Sequence, residues 1–257
     1  MTRIVAVLGL VIVVVVTGPA SAIDHKNLDE GRPLRLEDTY PIASGEVALE
    51  AGGGFRLVRR GADQGFFPVE LLYGAFPNFQ VGAATVLFTD PHELDDRPKS
   101  GDLHLSALYN FNQETITLPA FGLKLGLDSP TGVDSRGFGV ELKGIVTKSV
   151  DRLSLHLNAG YEFLTDTRRG ERDGRYEFAL GFSYPVGAPQ FTRATLVGDV
   201  FAEQASRRGE SSTVGVELGL RFQLTPRIVW DVGVGTEFTG PADRSRFIFT
   251  TGVSFGF

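Results

Sequence analysis

Residues able to do covalent chemistry are few in this chain. Histidine occurs only at His25, His92, His104 and His156, and cysteine does not occur. Without cysteine there is neither a disulfide framework nor a thiolate metal site. A serine nucleophile on a strand-to-helix turn would need G-x-S-x-G before a helix; the match at Gly252 to Gly256 lies inside the final strand-like run, with no helix after it. No phosphate loop and no cluster of metal ligands is found, so the sequence predicts neither cofactor nor metal. AGGGF, Ala51 to Phe55, lies inside a strand-like run rather than before a helix. It reads as room for curvature or for packing against the amino-terminal segment.

What remains is a set of ionisable residues at alternate positions. Glu50, Glu70, His104, Lys124, Lys143 and His156 belong to it. So do Arg175, Glu177, Asp199, Glu217, Arg221 and Asp231. Parity adds Glu46, Arg56, Asp102, Glu141, Glu162, Glu203, Glu237 and Arg246. Such a set can line a solute path or fill an interior with ion pairs. Pairing between neighbouring runs is expected, with Lys143 near His156 and Glu162, and Glu217 and Arg221 near Asp231 and Glu237.

The elements that must carry these residues are strands. In STVGVELGLRFQL, Val214, Val216, Leu218, Leu220, Phe222 and Leu224 share one face, opposite Gly215, Glu217, Gly219, Arg221 and Gln223. A helix would scatter both sets, whereas a strand separates them. RLSLHLNAGYEF and RYEFALGFSY split in the same way. Twelve such runs are predicted: 45–58, 65–76, 79–89, 101–113, 118–128, 137–150, 152–164, 174–184, 191–204, 211–224, 227–238 and 245–257. Most reach the 9–11 or so residues that cross a bilayer as a tilted strand. The connections after even-numbered runs are short: Pro77–Asn78, Thr115 to Thr117, Asp151, Pro185 to Gln190 and Thr225–Pro226. Those after odd-numbered runs are longer and more charged. A soluble sandwich has no reason to sort turns by parity, but an outer-membrane barrel does.

Alternation does not say which face points inward. Glycine on the polar face, at Gly215, Gly219, Gly233, Gly235, Gly252 and Gly256, suits a crowded concave lumen. Aromatics gather at the short-turn ends, including Phe76, Phe79, Tyr109, Phe111, Tyr184 and Trp230. A membrane–water interface favours that placement for Tyr and Trp. The reading is an all-β, antiparallel, up-and-down transmembrane barrel of about twelve strands over 45–257, working as a monomer. Closure follows, because an open sheet edge in lipid would leave backbone groups unsatisfied.

Two further segments precede it. MTR, the apolar run Ile4 to Val16, and TGPASA read as a secretory signal peptide over 1–22, cleaved after Ala22. Residues 23–44 are charged, contain proline and have no period. They are expected to be an extended periplasmic segment able to plug the lumen in part. The net charge of −6 argues against a nucleic-acid partner. The expected partners are outer-membrane lipid and lipopolysaccharide, the barrel-assembly machinery and a small-molecule solute. In the final run RFIFTTGVSFGF, Phe255 and Phe257 resemble the terminal aromatic signal recognised during outer-membrane assembly.

GRPLRLEDTYPIASGEVALEAG, PVELLYGAFPNFQVGA, GDLHLSALYNFNQE and LPAFGLKLGLDSPTG resemble a family of outer-membrane barrels of the "MetA-pathway of phenol degradation" type. The resemblance is best over Gly31 to Phe163. It implies outer-membrane location and passage of small organic solutes, aromatic compounds among them, with no catalytic motif to carry over. Three function classes stay on the table. A passive channel needs none of the missing chemistry. A lipid hydrolase would want Ser and His on the lipid face, whereas His104 and His156 fall on the lumen face. An adhesive or structural barrel would work through charged loops such as HELDDRPKS and TDTRRGERDG.

Overall fold

The computed structural model describes residues 23–29, 31–89, 99–133 and 135–257. The signal-peptide reading, with 1–22, and His92 lie outside the described residues. Twelve strands form the wall: β1 Val47–Val58, β2 Gln64–Phe76, β3 Phe79–Thr89, β4 Leu103–Asn110, β5 Ala120–Ser129, β6 Gly139–Val150, β7 Leu153–Leu164, β8 Gly174–Val186, β9 Ala194–Glu203, β10 Thr213–Thr225, β11 Ile228–Thr239 and β12 Ser245–Gly256. A two-residue ladder, Lys99–Ser100, extends β4 along β3. Each strand pairs antiparallel with its neighbours in sequence, and β12 pairs with β1 from Ala48↔Gly256 to Val58↔Ser245. The sheet is therefore closed, and no backbone edge is left open. Val47 and Phe257 exchange backbone hydrogen bonds at the seam.

The tight turns follow local chemistry. Asn78 and Asp151 sit at φ 64° and 54° between β2 and β3 and between β6 and β7. Asn and Asp tolerate this left-handed conformation better than most side chains. Two predicted boundaries move. The run 101–113 ends as a strand at Asn110, and 111–119 form an irregular turn. The Asn110 amide turns inward there and donates to the Thr39 carbonyl at 2.8 Å. The run 191–204 begins as a strand at Ala194, after a single 3-10 turn at Pro189–Phe191.

The apolar face points outward. Leu125, Leu180 and Val200 are 53%, 60% and 53% exposed, and like side chains surround the wall. So large an exposed apolar band marks a surface that meets something other than water. At the short-turn ends Phe76, Phe79, Tyr109 and Phe111 form a ribbon with ring centroids 5.1–6.5 Å apart. Parity fails at one rim position. The ladder shifts register between Leu57 and Val58, so Ser245 is buried and Arg246 is exposed instead of facing the lumen.

The segment before β1 lies inside the barrel. It runs in from the short-turn end, where Gln223 binds both His25 N and Ile23 O. It then doubles back, with Ile42 N bonded to Gln80. Its two limbs are tied by the Asp38 N–Leu28 O and Gly31 N–Leu34 O hydrogen bonds. Leu28, Leu34 and Leu36 pack on Ala179, Val197 and Phe201, and Ile23 and Ile42 on Ala48 and Leu72, which makes two apolar clusters inside a lumen rich in charge.

Candidate functional site

The site is the space left between this re-entrant segment and the wall, so what anchors the segment comes first. Arg32 reaches Glu50 at 2.8 Å and Asp231 at 3.1 Å, with all three side chains nearly fully buried. Its Nη1 also donates to the Ala51 carbonyl at 3.2 Å. Arg35 gathers Glu203, Glu217 at 3.6 Å and Glu237 at 3.5 Å, and lies 4.1 Å over the Phe201 ring. Glu37 takes the Lys124 ammonium at 3.0 Å, and its backbone is clasped on both sides by the Asn158 amide, at 2.8 Å each way. Buried pairs of this kind are costly to break, because the orphaned charge stays desolvated.

Glycines make room for the anchors. A side-chain carbon on Gly252 would fall on the Arg32 guanidinium and 2.9 Å from the Ala51 carbonyl. One on Gly219 would lie 2.9 Å from the Pro33 ring, and one on Gly233 2.6 Å from the Pro33 carbonyl. Gly219, Gly233, Gly252 and Gly256 are thus sites of close approach by the segment, whereas Gly215 and Gly235 face the wall's own Phe201 and Glu217. The packing alternative for AGGGF holds at Gly52, where an added carbon would stand 2.7 Å from Arg32 Cδ.

Asp38 staples the limbs, accepting from Leu28 N at 2.8 Å and Tyr40 N at 2.7 Å. Burial raises its pKa to about 7 against those two hydrogen bonds. Tyr40 is pushed up to about 12, chiefly by burial and next by the Glu114 carboxylate.

Among the described residues, cavities border the segment at three places. The first, about 340 Å³, lies towards the long-loop end between the segment and the β2–β8 arc. Glu50, Glu70, His104, Lys124, Asp128 and Glu177 face it, opposite an apolar strip of Pro68, Ala84 and Val86. The second, about 210 Å³, is bounded by Arg35, Arg56, Phe66, Lys143, Phe201 and Glu217. The third, about 240 Å³, opens at the short-turn end under the segment and is lined by Asp29, Tyr40, Glu46, Ala48 and Glu50.

The charges named from sequence divide accordingly. Glu50, Glu70, His104, Lys124, Lys143, Glu177 and Glu217 line the first two cavities. His104 is bonded to Asp128 at 2.9 Å, and Lys143 to Glu177 at 2.7 Å and Glu141 at 2.9 Å. His156, Asp199, Arg221 and Asp231 are buried and line neither. His156 sits between the Thr147 and Ser183 hydroxyls at 3.0 Å each. Arg221, fully buried, reaches the Arg32 carbonyl at 3.4 Å. Arg175 pairs with Glu162 near the long loops. Phe255 and Phe257 belong to the closing seam, Phe257 being 43% exposed.

Segment-to-wall ion pairs are thus added to the wall-to-wall ones, and Arg221 stands opposite Asp231 in the ladder as expected. Lys143 meets Glu141 and Glu177 rather than His156 and Glu162, while Asp231, Glu217 and Glu237 receive Arg32 and Arg35. Those two arginines and Glu37 are the residues the sequence reading missed. The signal was the excess of acids over bases on the lumen face, which asked for cations from elsewhere.

No curated protein matches this chain in sequence. Among solved structures, the COG4313 outer membrane channel from Pseudomonas putida F1 superposes with a TM-score of 0.68 at 14% identity, covering 90% of this chain and 100% of that one. The NanC porin gives 0.60 at 13% identity, covering 80% and 98%. The KdgM porin gives 0.53 at 13%, covering 81% and 99%. Similarity at this identity establishes the fold, that of outer-membrane barrels. Residues 45–254 match the family described as putative MetA-pathway of phenol degradation, and the chain belongs to that family.

Proposed function

We propose that this protein is a non-enzymatic outer-membrane channel for passive passage of small organic solutes, aromatic ones among them. The observation that carries the reading is a closed barrel with an apolar outer band and charge-lined cavities inside. The family and the porin-like fold support it, and a continuous sheet within one chain suits a monomer. In this reading residues 1–22 are the export signal and 23–44 a periplasmic segment folded up into the lumen. The short-turn end faces the periplasm, and the charged loops face lipopolysaccharide. Phe255 and Phe257 serve the assembly machinery.

The solute path is narrower than the parity set. Glu50, Glu70, His104, Lys124, Lys143, Glu177 and Glu217 border it, while His156, Asp199, Arg221 and Asp231 hold the wall and the segment. Restricted passage follows, since the segment occupies much of an already narrow lumen. The lipid-hydrolase reading is disfavoured by His104 and His156, which turn away from lipid. Purified protein in planar bilayers and in osmotically shocked liposomes tests the proposal. Stepwise conductance and swelling in small neutral solutes are expected. Neither signal, from protein shown to be folded, would refute it.

A further inference from the structure

The cavity near the long loops and the cavity at the short-turn end are separate spaces, about 340 Å³ and 240 Å³. One wall side chain borders both: Glu50 of β1. Arg32 borders the first and closes on Glu50 at 2.8 Å. Glu50 is held from its other oxygen by the Ser254 hydroxyl at 2.8 Å, and Arg32 is held by Asp231 at 3.1 Å. Each of these four side chains is buried. From these contacts we infer that solute crosses the barrel along β1, between the segment and the wall, and that the Arg32–Glu50 pair is the constriction that sets its charge selectivity.

The route is off-centre, because Leu28, Leu34 and Leu36 fill the opposite side against β8 and β9. The pair is electrically neutral and nearly dry. A neutral solute passes it by exchanging hydrogen bonds. An anion that takes Arg32 leaves the Glu50 carboxylate desolvated with only the Ser254 hydroxyl, and a cation that takes Glu50 leaves Arg32 with Asp231 as its one carboxylate; both states are costly for buried charges. The constriction therefore favours uncharged solutes over ions of similar size. Of the two partners, only Arg32 rides on the segment, so opening requires Arg32 to leave Glu50 rather than any strand to move.

This inference rests on the channel reading, and the test separates the two. Full-length chain is reconstituted as wild type, Arg32→Gln and Glu50→Gln. Arg32→Gln frees two carboxylates, Glu50 and Asp231. It should raise conductance several-fold and move the reversal potential in a salt gradient towards cation selectivity. Glu50→Gln should move it the other way, a pair of opposite shifts that loss of packing alone would not produce. Erythritol-driven swelling should outpace ion flux in wild type and lose that advantage in Arg32→Gln. Because the chain has no cysteine, Glu46→Cys and Glu70→Cys each present a single thiol, one on either side of the constriction. A bulky methanethiosulfonate reagent should block conductance at both. If wild type conducts but the two glutamine variants shift together or not at all, or neither thiol blocks, the route is wrong and the channel reading stands. If folded wild type and all variants carry neither ions nor erythritol, both fall.

Discussion

The lumen has two unlike halves. Along β9–β12 the wall is lined with glycine and carboxylates, and the segment presses on it deep into the barrel, through Arg32, Pro33 and Arg35, while β1, whose Glu50 takes Arg32 and lines two cavities, is the border. Along β2–β4 the segment's contacts are near the short-turn end, at Leu72, Gly74, Gln80 and Asn110. Beyond them this wall presents Pro68, Ala84 and Val86 to open space. One half docks the segment, and the other is the passage of the proposed channel. Small residues mark the dock because the Arg32 and Pro33 side chains and the Pro33 carbonyl come up against the wall there. Larger apolar and charged side chains mark the other half, where they line a cavity among the described residues. Substitutions on the two halves should therefore separate segment docking from solute transport.

The largest effect is expected at Arg35, which meets three carboxylates. Arg35→Gln leaves Glu203, Glu217 and Glu237 to repel one another in a poorly solvated site. Breaking a fully buried ion pair from one side costs about 3–5 kcal/mol, and with Arg35 and Glu203 partly exposed and Arg56 still beside the carboxylates the loss here is about 1–3 kcal/mol. Docking should weaken on that scale, read as lost amide-exchange protection at Leu34 to Glu37 and faster proteolysis within 23–44, with the barrel intact. The control on the other half is Val86→Ala, which should leave segment protection within about 0.5 kcal/mol of wild type. Equal loss of protection in both variants would erase the distinction between dock and passage.

Gly219→Val should come next. The added carbons would meet the Pro33 ring and the Val232 carbonyl, both at 2.9 Å from the first of them. Overpacking of this kind costs about 1–3 kcal/mol. The segment should loosen and conductance rise, whereas Ala84→Val on the passage side should lower conductance without loosening the segment. Single-channel recordings with proteolysis in parallel read both arms, and a rise in both variants would contradict the comparison.

A smaller effect is expected from pH. Asp38 lies in the docked segment with a pKa of about 7 against an ordinary 3.8, raised by burial. Docked segment thus holds a proton that released segment gives up between those values. Its contribution to docking is fully present below about pH 4 and is lost as pH rises towards 7, beyond which docking levels off. Glu37 opposes its ionisation and Arg221 assists it. Exchange protection at Leu28 and Tyr40, corrected for intrinsic rates, should fall across that window and flatten in Asp38→Asn. A protection that rises with pH would reverse the assignment.

The same two halves explain what the sequence could tell. Strand faces are local, so period two in RLSLHLNAGYEF and STVGVELGLRFQL gave the wall and its inside directly. Most boundaries followed from turn residues. Asn110 was carried too far because its run of apolar neighbours says nothing of an amide that turns in towards Thr39. The dock was hidden for the same reason on a larger scale. Arg32 meets Asp231, and Pro33 meets Thr250, across about two hundred residues, and the segment carrying them has no period to betray a face. The glycines of β10 to β12 were visible, but curvature and docking ask for the same residue. Arg221 reads as a lumen charge by parity, and nothing in its own strand tells of the segment that lies over it.

Lys143 gives the smallest predicted effect and the finest test of that last point. Its ammonium lines the second cavity, yet it is already matched by Glu177 at 2.7 Å and Glu141 at 2.9 Å. Lys143→Gln removes one positive charge beside two carboxylates and should shift the reversal potential modestly towards cations, with docking unchanged. Arg221→Gln should do the converse. Arg221 is fully buried beneath the segment and reaches the Arg32 carbonyl, so its loss should disturb docking first and selectivity only through it. Segment protection and reversal potential measured on the same preparations distinguish the cases. If Arg221→Gln shifted selectivity while the segment stayed fully protected, the buried arginine would belong to the passage, and the boundary between the two halves would have to move.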